Sequence, residues 1–140
     1  MGSAQASSPE ERFVVEAFEE TVVGGDVEAL DEYFSDNLDY YSSAGDLGGQ
    51  AELESDIVTF QTAFPDLDGT TQTVMSQGNK VSFLYELTGT HDGEFEDIPP
   101  TGKSMTAKGA AIVTVDELIT EYRIIYDNLG MLEQLGIVDD

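Results

Sequence analysis

The side chains best suited to chemistry lie toward the C-terminus, where Glu121, Arg123, Ile125 and Asp127 alternate with Tyr122, Ile124 and Tyr126. An alternation of two is the period of a strand, so each set shares one face of it. Asp127 stands immediately before a helical pattern and admits two uses. As a cap it accepts unpaired backbone N–H groups of the first turn, contributing about 1 kcal/mol. At the mouth of an apolar pocket, where desolvation raises a carboxylate's basicity, it can instead take a proton from carbon next to a carbonyl. Arg123 is one of two arginines in the chain. A cation so rare is either paired, with Glu121, Asp127 or an acid across the sheet, or placed to contact a ligand. His91, the single histidine, follows Gly89 and Thr90 at a strand end. Histidine is the side chain whose unperturbed titration lies nearest neutral pH, and here it serves either as a hydrogen-bonded edge residue or as a group that orients substrate.

Composition excludes more classes than it supports. Asp and Glu number 29 against 5 Lys and Arg, for a formal charge of −24. Such a surface repels a phosphate backbone and an anionic bilayer, so neither nucleic acid nor membrane is an expected partner. Its self-repulsion fades when salt shortens the Debye length to about 3 Å near molar concentration, which suits a cytoplasmic protein of a halophile. With no cysteine, disulfide scaffolds, thiol nucleophiles, zinc ribbons and iron–sulfur clusters drop out. One histidine cannot build a His-rich metal site, and Asp92, Glu94, Glu96 and Asp97 lack the spacing of a calcium-binding hand. No phosphate loop, dinucleotide fingerprint or nucleophile elbow is present. No metal and no cofactor is implied. No apolar run approaches the roughly 20 residues that cross a bilayer, and Met1 to Ser8 lack the basic start and apolar stretch of an export signal; residues 1–8 read as a flexible tail.

The elements that must position these groups follow from periodicity. A chain of 140 residues, 40% of them hydrophobic, closes one core, so residues 9–140 are expected to form a single domain. Ser8, Pro9 and Glu11 make a capping box that starts a helix, whose stripe of Phe13, Val14, Ala17, Phe18 and Val22 ends at Gly24 and Gly25. Asp26 caps a shorter helix burying Val27, Leu30 and Phe34, followed by a polar and aromatic segment from Asp36 to Ser43. Leu53, Ile57, Phe60 and Phe64 define a third helix that Pro65 stops. Val81, Phe83, Tyr85 and Leu87 then alternate as the buried face of a strand, preceded by a vaguer strand at Asp68–Met75 and followed by two strands, Ser104–Val115 and Leu118–Tyr126, joined by a tight turn near Asp116 and Glu117. A short helix from Asn128 to Leu135 stops at Gly136. This order predicts an α+β fold: helices on one face of a curved antiparallel sheet, with a concave apolar pocket where the two layers diverge.

Several blocks, in order, resemble the SnoaL-like polyketide cyclase (ester cyclase) family of the nuclear transport factor 2-like superfamily. They are Gly25-Asp26 with Leu30, Ala63-Phe64-Pro65-Asp66-Leu67, Gly89-Thr90-His91-Asp92-Gly93-Glu94-Phe95 continuing through Ile98-Pro99-Pro100-Thr101-Gly102, and Asp127 through Gly136. The resemblance implies a cone-shaped half-barrel of three N-terminal helices on a curved sheet, a homodimer and a cofactor-free interior pocket. It also implies ring closure by intramolecular aldol condensation on a small apolar carbonyl substrate, with Asp127 as acid/base and His91 lining the cavity. Phe60, Tyr85 and Tyr40 would line the pocket beside Glu121 and Arg123. Two positions depart from the family pattern: Tyr40 stands where many members carry histidine, and Arg123 where they carry tryptophan. Rival readings are a non-catalytic ligand-binding protein whose Arg123 grips an acidic ligand, and a hydrolase like the epoxide hydrolases of this superfamily.

Overall fold

The computed structural model describes residues 8–45 and 47–138. The tail expected over residues 1–8 therefore falls, Ser8 apart, outside the described residues. Ser8 is extended and its hydroxyl accepts the Glu11 amide at 3.0 Å, so helix α1 (Pro9–Ala17) starts where the cap places it. The Glu11 carboxylate turns inward and accepts the Ser76 hydroxyl. After Ala17 the helix widens into a π-helical turn, Phe18–Val23, inside which the Thr21 hydroxyl bonds back to the Ala17 carbonyl at 2.6 Å. A short 3₁₀ turn, Val27–Ala29, leads into the four-residue α2 (Leu30–Tyr33).

Phe34 does not belong to that helix. It opens strand β1 (Phe34–Ser42), and the polar segment after it is sheet. The reason lies in its period: Leu38, Tyr40 and Ser42 are buried alternately with exposed or half-buried neighbours. β1 pairs with the two-residue β2 (Leu47–Gly48) on one side. Helix α3 (Gln50–Ala63) follows, with the Glu52 carboxylate accepting the Gly49 amide at 2.7 Å. Strands β3 (Asp68–Gln77), β4 (Lys80–Thr90), β5 (Ser104–Asp116) and β6 (Leu118–Tyr126) then run as a meander, and α4 (Asn128–Gln134) closes the chain. The Asp66 carboxylate accepts the Thr90 amide at 2.7 Å and its hydroxyl at 2.9 Å, tying the end of α3 to the end of β4. Those two bonds hold the Asp66 carboxyl below the usual carboxylate range.

The six strands lie in the order β2-β1-β6-β5-β4-β3, and β1 runs parallel to β6, Tyr40 opposite Tyr122 and Tyr41 opposite Arg123. The sheet is thus mixed rather than antiparallel throughout. The helices cover its inner face, burying Val81, Phe83, Tyr85 and Leu87 of β4 together with Ala107, Ala111 and Val113 of β5. Phe18 sits at the middle of this layer, fully buried, its ring centroid 5.1 Å from those of both Phe83 and Tyr85. A register shift between Thr114 and Val115 resets the phase of β6, which is why Ile119 and Tyr122 are both buried although they are three residues apart.

Candidate functional site

Helix α3 crosses β1 and the centre of the sheet without filling the space between them. The hollow left there holds about 580 Å³ counted out to solvent at its mouth. On the helix side its wall is Leu53, Asp56, Ile57 and Phe60, residues spaced by three and four and hence on one stripe. On the sheet side it is Tyr40, Ser42, Tyr85, Leu87, Ala107, Ile124 and Tyr126, with Val22 and Leu67 at its edge. The lining is apolar but for a few groups, and among the described residues Asp56 is the one charged side chain in it.

Asp56 and Tyr40 meet across the layers: the Tyr40 hydroxyl donates to Asp56 Oδ2 at 2.6 Å. This short bond holds the Asp56 carboxyl group in the wall. Opposite, Phe60 stands edge-on to Tyr126 at 6.1 Å between centroids. Tyr85 crosses over Gly109, its partner in the β4–β5 ladder, and its hydroxyl donates to the Ile125 carbonyl at 3.2 Å. A Cβ at residue 109 would lie 2.6 Å from that hydroxyl and 2.1 Å from the Ile125 carbonyl oxygen, so the crossing needs glycine. Burial pushes the Tyr85 hydroxyl above the usual tyrosine range, with Tyr126 adding to the effect, so it remains a neutral donor at ordinary pH.

Behind the wall, Tyr122 is fully buried and stacks on Tyr40 at 6.5 Å. Its hydroxyl has no hydrogen-bond partner among the described residues, and burial, then the neighbouring Tyr85, raises its pKa. An unpaired buried hydroxyl forfeits its hydration without return, at about 1–3 kcal/mol. Tyr122→Phe is therefore expected to leave stability unchanged or raise it; a urea midpoint lower than wild type would show that the hydroxyl is satisfied in solution.

Of the residues singled out by sequence, Phe60, Tyr85 and Tyr40 line this hollow. Asp127 does not. It is exposed, and its Oδ1 accepts the Gly130 amide at 2.8 Å as the cap of α4. Asn caps as well as Asp, whereas Ala loses the bond, so Asp127→Ala should cost about 1 kcal/mol and Asp127→Asn nearly nothing. Equal losses in the two variants, read from thermal unfolding, would contradict the cap. His91 is fully buried but away from the hollow, its ring near Phe64 and Phe95. The Thr101 amide donates to its Nδ1 at 3.3 Å and the Thr101 hydroxyl lies 3.0 Å from the same atom, while Nε2 has no hydrogen-bond partner among the described residues. The Gly102 amide bonds the His91 carbonyl and the His91 amide bonds the Lys103 carbonyl, so this residue ties down the loop between β4 and β5.

Glu121 and Arg123 lie on the opposite, outer face of the sheet, because Tyr122, Ile124 and Tyr126 take the inner one. Glu121 binds Lys80 at 3.3 Å and Arg123 at 3.2 Å. Partial desolvation opposes it, but the Thr114 hydroxyl, Lys80 and Arg123 hold the Glu121 carboxyl below its usual range. The Arg123 guanidinium also covers the Tyr41 ring at 4.1 Å. Neither residue reaches the hollow, so Arg123 cannot grip a ligand bound there. The group that sequence reasoning passed over is Asp56. Its signal was an acid inside the apolar stripe Leu53, Ile57, Phe60, where a solvated face would not place one. Among the described residues no group of three or more His, Cys, Asp or Glu is placed to hold a metal ion. No helix among the described residues is long and apolar enough to cross a membrane.

The chain is similar to several solved structures. IdmH from Streptomyces antibioticus, provisionally named a polyketide cyclase, is 27% identical with a TM-score of 0.79, over 92% of this chain and 99% of that one. A protein from Acidithiobacillus ferrooxidans with the same provisional name is 25% identical, TM-score 0.78, over 94% and 98% of the two chains. AclR from Streptomyces galilaeus, provisionally named a hydroxylase, shares the fold at TM-score 0.81 and 22% identity, over 94% and 87%. No curated protein matches the chain. The helices on an open, curved six-stranded sheet are those of the nuclear transport factor 2-like cone. The sequence pattern of one family within that fold runs through residues 12–135, and the chain belongs to that family, the SnoaL-like polyketide cyclases.

Proposed function

We propose that the hollow binds a small, largely apolar carbonyl compound and that Asp56 moves a proton at the carbon beside its carbonyl, as an aldol-type ring closure of the polyketide cyclase kind requires. The observation that carries this reading is the Asp56 carboxylate, held by the Tyr40 hydroxyl at 2.6 Å, in the wall of an otherwise apolar pocket. Such a carboxylate can accept the proton from carbon, leaving an enolate that attacks a second carbonyl carbon of the same molecule. The resulting alkoxide takes a proton back, and Asp56 is an anion again. Tyr126 lines the same hollow and would supply the hydroxyl that meets the developing oxyanion, since the Tyr85 hydroxyl is given to the Ile125 carbonyl. Asp127 and His91 act in this scheme only as a cap and a loop tie. The family, and the provisional names of IdmH and its Acidithiobacillus counterpart, support the same class of chemistry.

The test is deuterium uptake from D₂O at the carbon between the carbonyls of an aromatic β-keto ester, followed by proton NMR. The protein should accelerate uptake well beyond an equal concentration of acetate. Uptake no faster than with acetate would sink the catalytic reading and leave ligand binding as the role of the pocket.

The working environment we propose is the cytoplasm of a halophile, because a charge of −24 relaxed by only 5 basic residues is tolerable where salt screens it. Raising KCl from about 0.01 M to about 2 M, which shortens the Debye length from roughly 30 Å to under 3 Å, should lift the unfolding midpoint by about 10 °C. A midpoint indifferent to salt would rule this out. We also propose a homodimer through the outer face of the sheet. There Leu84, Ala110 and Ile125 form a row across β4, β5 and β6, with Ile112 and Arg123 in an adjoining row. Leu84, Ile112 and Ile125 are exposed. Lys80, Lys108 and Arg123, three of the 5 basic residues, lie on this face, which makes it the surface where a second copy meets least repulsion. Light scattering in molar KCl should give twice the chain mass, and Ile112→Glu should halve it.

A further inference from the structure

Hydroxyl groups enter the wall of the hollow from Tyr40, Ser42, Tyr85 and Tyr126, and two of them give their hydrogen to the protein itself. Tyr40 donates to Asp56 at 2.6 Å and Tyr85 to the Ile125 carbonyl at 3.2 Å. Ser42 differs. Its Oγ accepts the Ala44 amide at 3.2 Å, which uses a lone pair of the oxygen and leaves the hydroxyl hydrogen to be given elsewhere. Among the described residues no acceptor for that hydrogen stands within reach. Ser42 is only 8% exposed, so what its hydroxyl meets is the hollow rather than bulk solvent. A buried donor left unused forfeits its hydration, and a ligand that accepts from it removes that penalty.

The sheet fixes where this donor stands. Ser42 lies two residues beyond Tyr40 on β1 and shares its inward face, opposite Ile124 of β6, which also lines the hollow. The neighbouring Ser43 hydroxyl donates to the Tyr126 carbonyl at 3.0 Å and accepts the Tyr126 amide at 2.9 Å, and the Ser43 amide bonds the Ile124 carbonyl at 3.0 Å. This end of β1 is thereby clamped to β6, and a donor on a clamped strand loses little freedom when it binds.

We propose that Ser42 positions the ligand: its hydroxyl donates to the carbonyl oxygen of the bound compound, so the pocket selects ketones and keto esters over hydrocarbons of the same shape. The inference rests on the proposed carbonyl-binding role of the pocket but not on proton transfer by Asp56. During ring closure the same hydrogen bond strengthens as the oxygen gains enolate charge, which eases removal of the proton from the carbon beside it.

The experiment uses the full chain in molar KCl, with acetophenone carrying ¹³C at its carbonyl and α-methylstyrene, in which a methylene group replaces the oxygen. The bound ketone's carbonyl carbon should resonate downfield of its position in a hydrocarbon solvent, as an accepted hydrogen bond requires. Ser42→Ala should move that resonance upfield and weaken ketone binding roughly fivefold, while α-methylstyrene binds as before. Ala44 is exposed, so its amide turns to water in this variant. A carbonyl resonance unchanged by Ser42→Ala overturns the proposal. So does an equal loss of affinity for the two probes, which would make Ser42 a structural residue of the strand end. A Ser42-dependent shift in a protein that exchanges no deuterium supports this donor and removes only the proposed reaction. If neither probe binds, the pocket is not a site for ligands of this size, and the proposed function falls together with this inference.

Discussion

Asp56→Asn is expected to slow carbon deprotonation by roughly 10²- to 10⁴-fold, the usual contribution of a positioned acid or base. The substitution is nearly isosteric, and the amide oxygen can still accept the Tyr40 hydroxyl, so the wall of the pocket keeps its shape. What disappears is the ability to take a proton. Asp127→Asn is the matched comparison: it removes the carboxylate that the family resemblance brings forward, yet retains the cap on Gly130. Deuterium uptake by that variant should equal wild type. The opposite result, with uptake lost in Asp127→Asn and kept in Asp56→Asn, would move the base to the end of β6 and require α4 to leave its cap during reaction. Tyr40→Phe separates positioning from proton transfer. It leaves the carboxylate but removes the donor that orients it, so the pH profile of uptake should shift while measurable activity persists.

Phe18→Ala should have the largest effect on stability, about 3–5 kcal/mol, the range for emptying a buried aromatic site. Phe18 is fully exposed to core and not at all to solvent, with Phe83 edge-on and Tyr85 tilted against it. Its place at the start of the π-helical turn is fixed by the helix hydrogen bonds, so the backbone cannot follow the lost ring into the gap. A domain is typically stable by only about 5–15 kcal/mol, so in dilute buffer this variant should lie close to unfolding. Urea titration in molar KCl provides the reading, with the midpoint falling and the slope preserved. A loss under about 1 kcal/mol would mean that the helix layer collapses onto the sheet, and the pocket would then have to shrink with it.

Much of the architecture was legible because its causes are local. The stripe Phe13 to Val22, the stop at Pro65 and the alternation Val81 to Leu87 each follow from the period of one element, and the structure places a helix, a helix end and a strand there. The cap at Asp127 is local as well, since it depends only on the residues that follow it. Phe34 misled for a related reason: it sits at helical spacing from Leu30, and nothing nearby reveals that the chain straightens after Tyr33.

By itself, then, the amino-acid order determined which segments coil and which extend, the strongly acidic surface, and the family pattern over most of the chain. Only tertiary structure decided that β1 lies parallel to β6, since that pairing joins Tyr40 to Tyr122 across more than half the chain and carries no nearby turn signal. The same folding step decided the site. Once β1 is beside β6, the rings of β6 turn inward and Arg123 outward, and Tyr40 comes within 2.6 Å of an acid on α3. A strand shows two faces with equal regularity, and which of them meets the helices depends on the packing of all its neighbours rather than on its own residues.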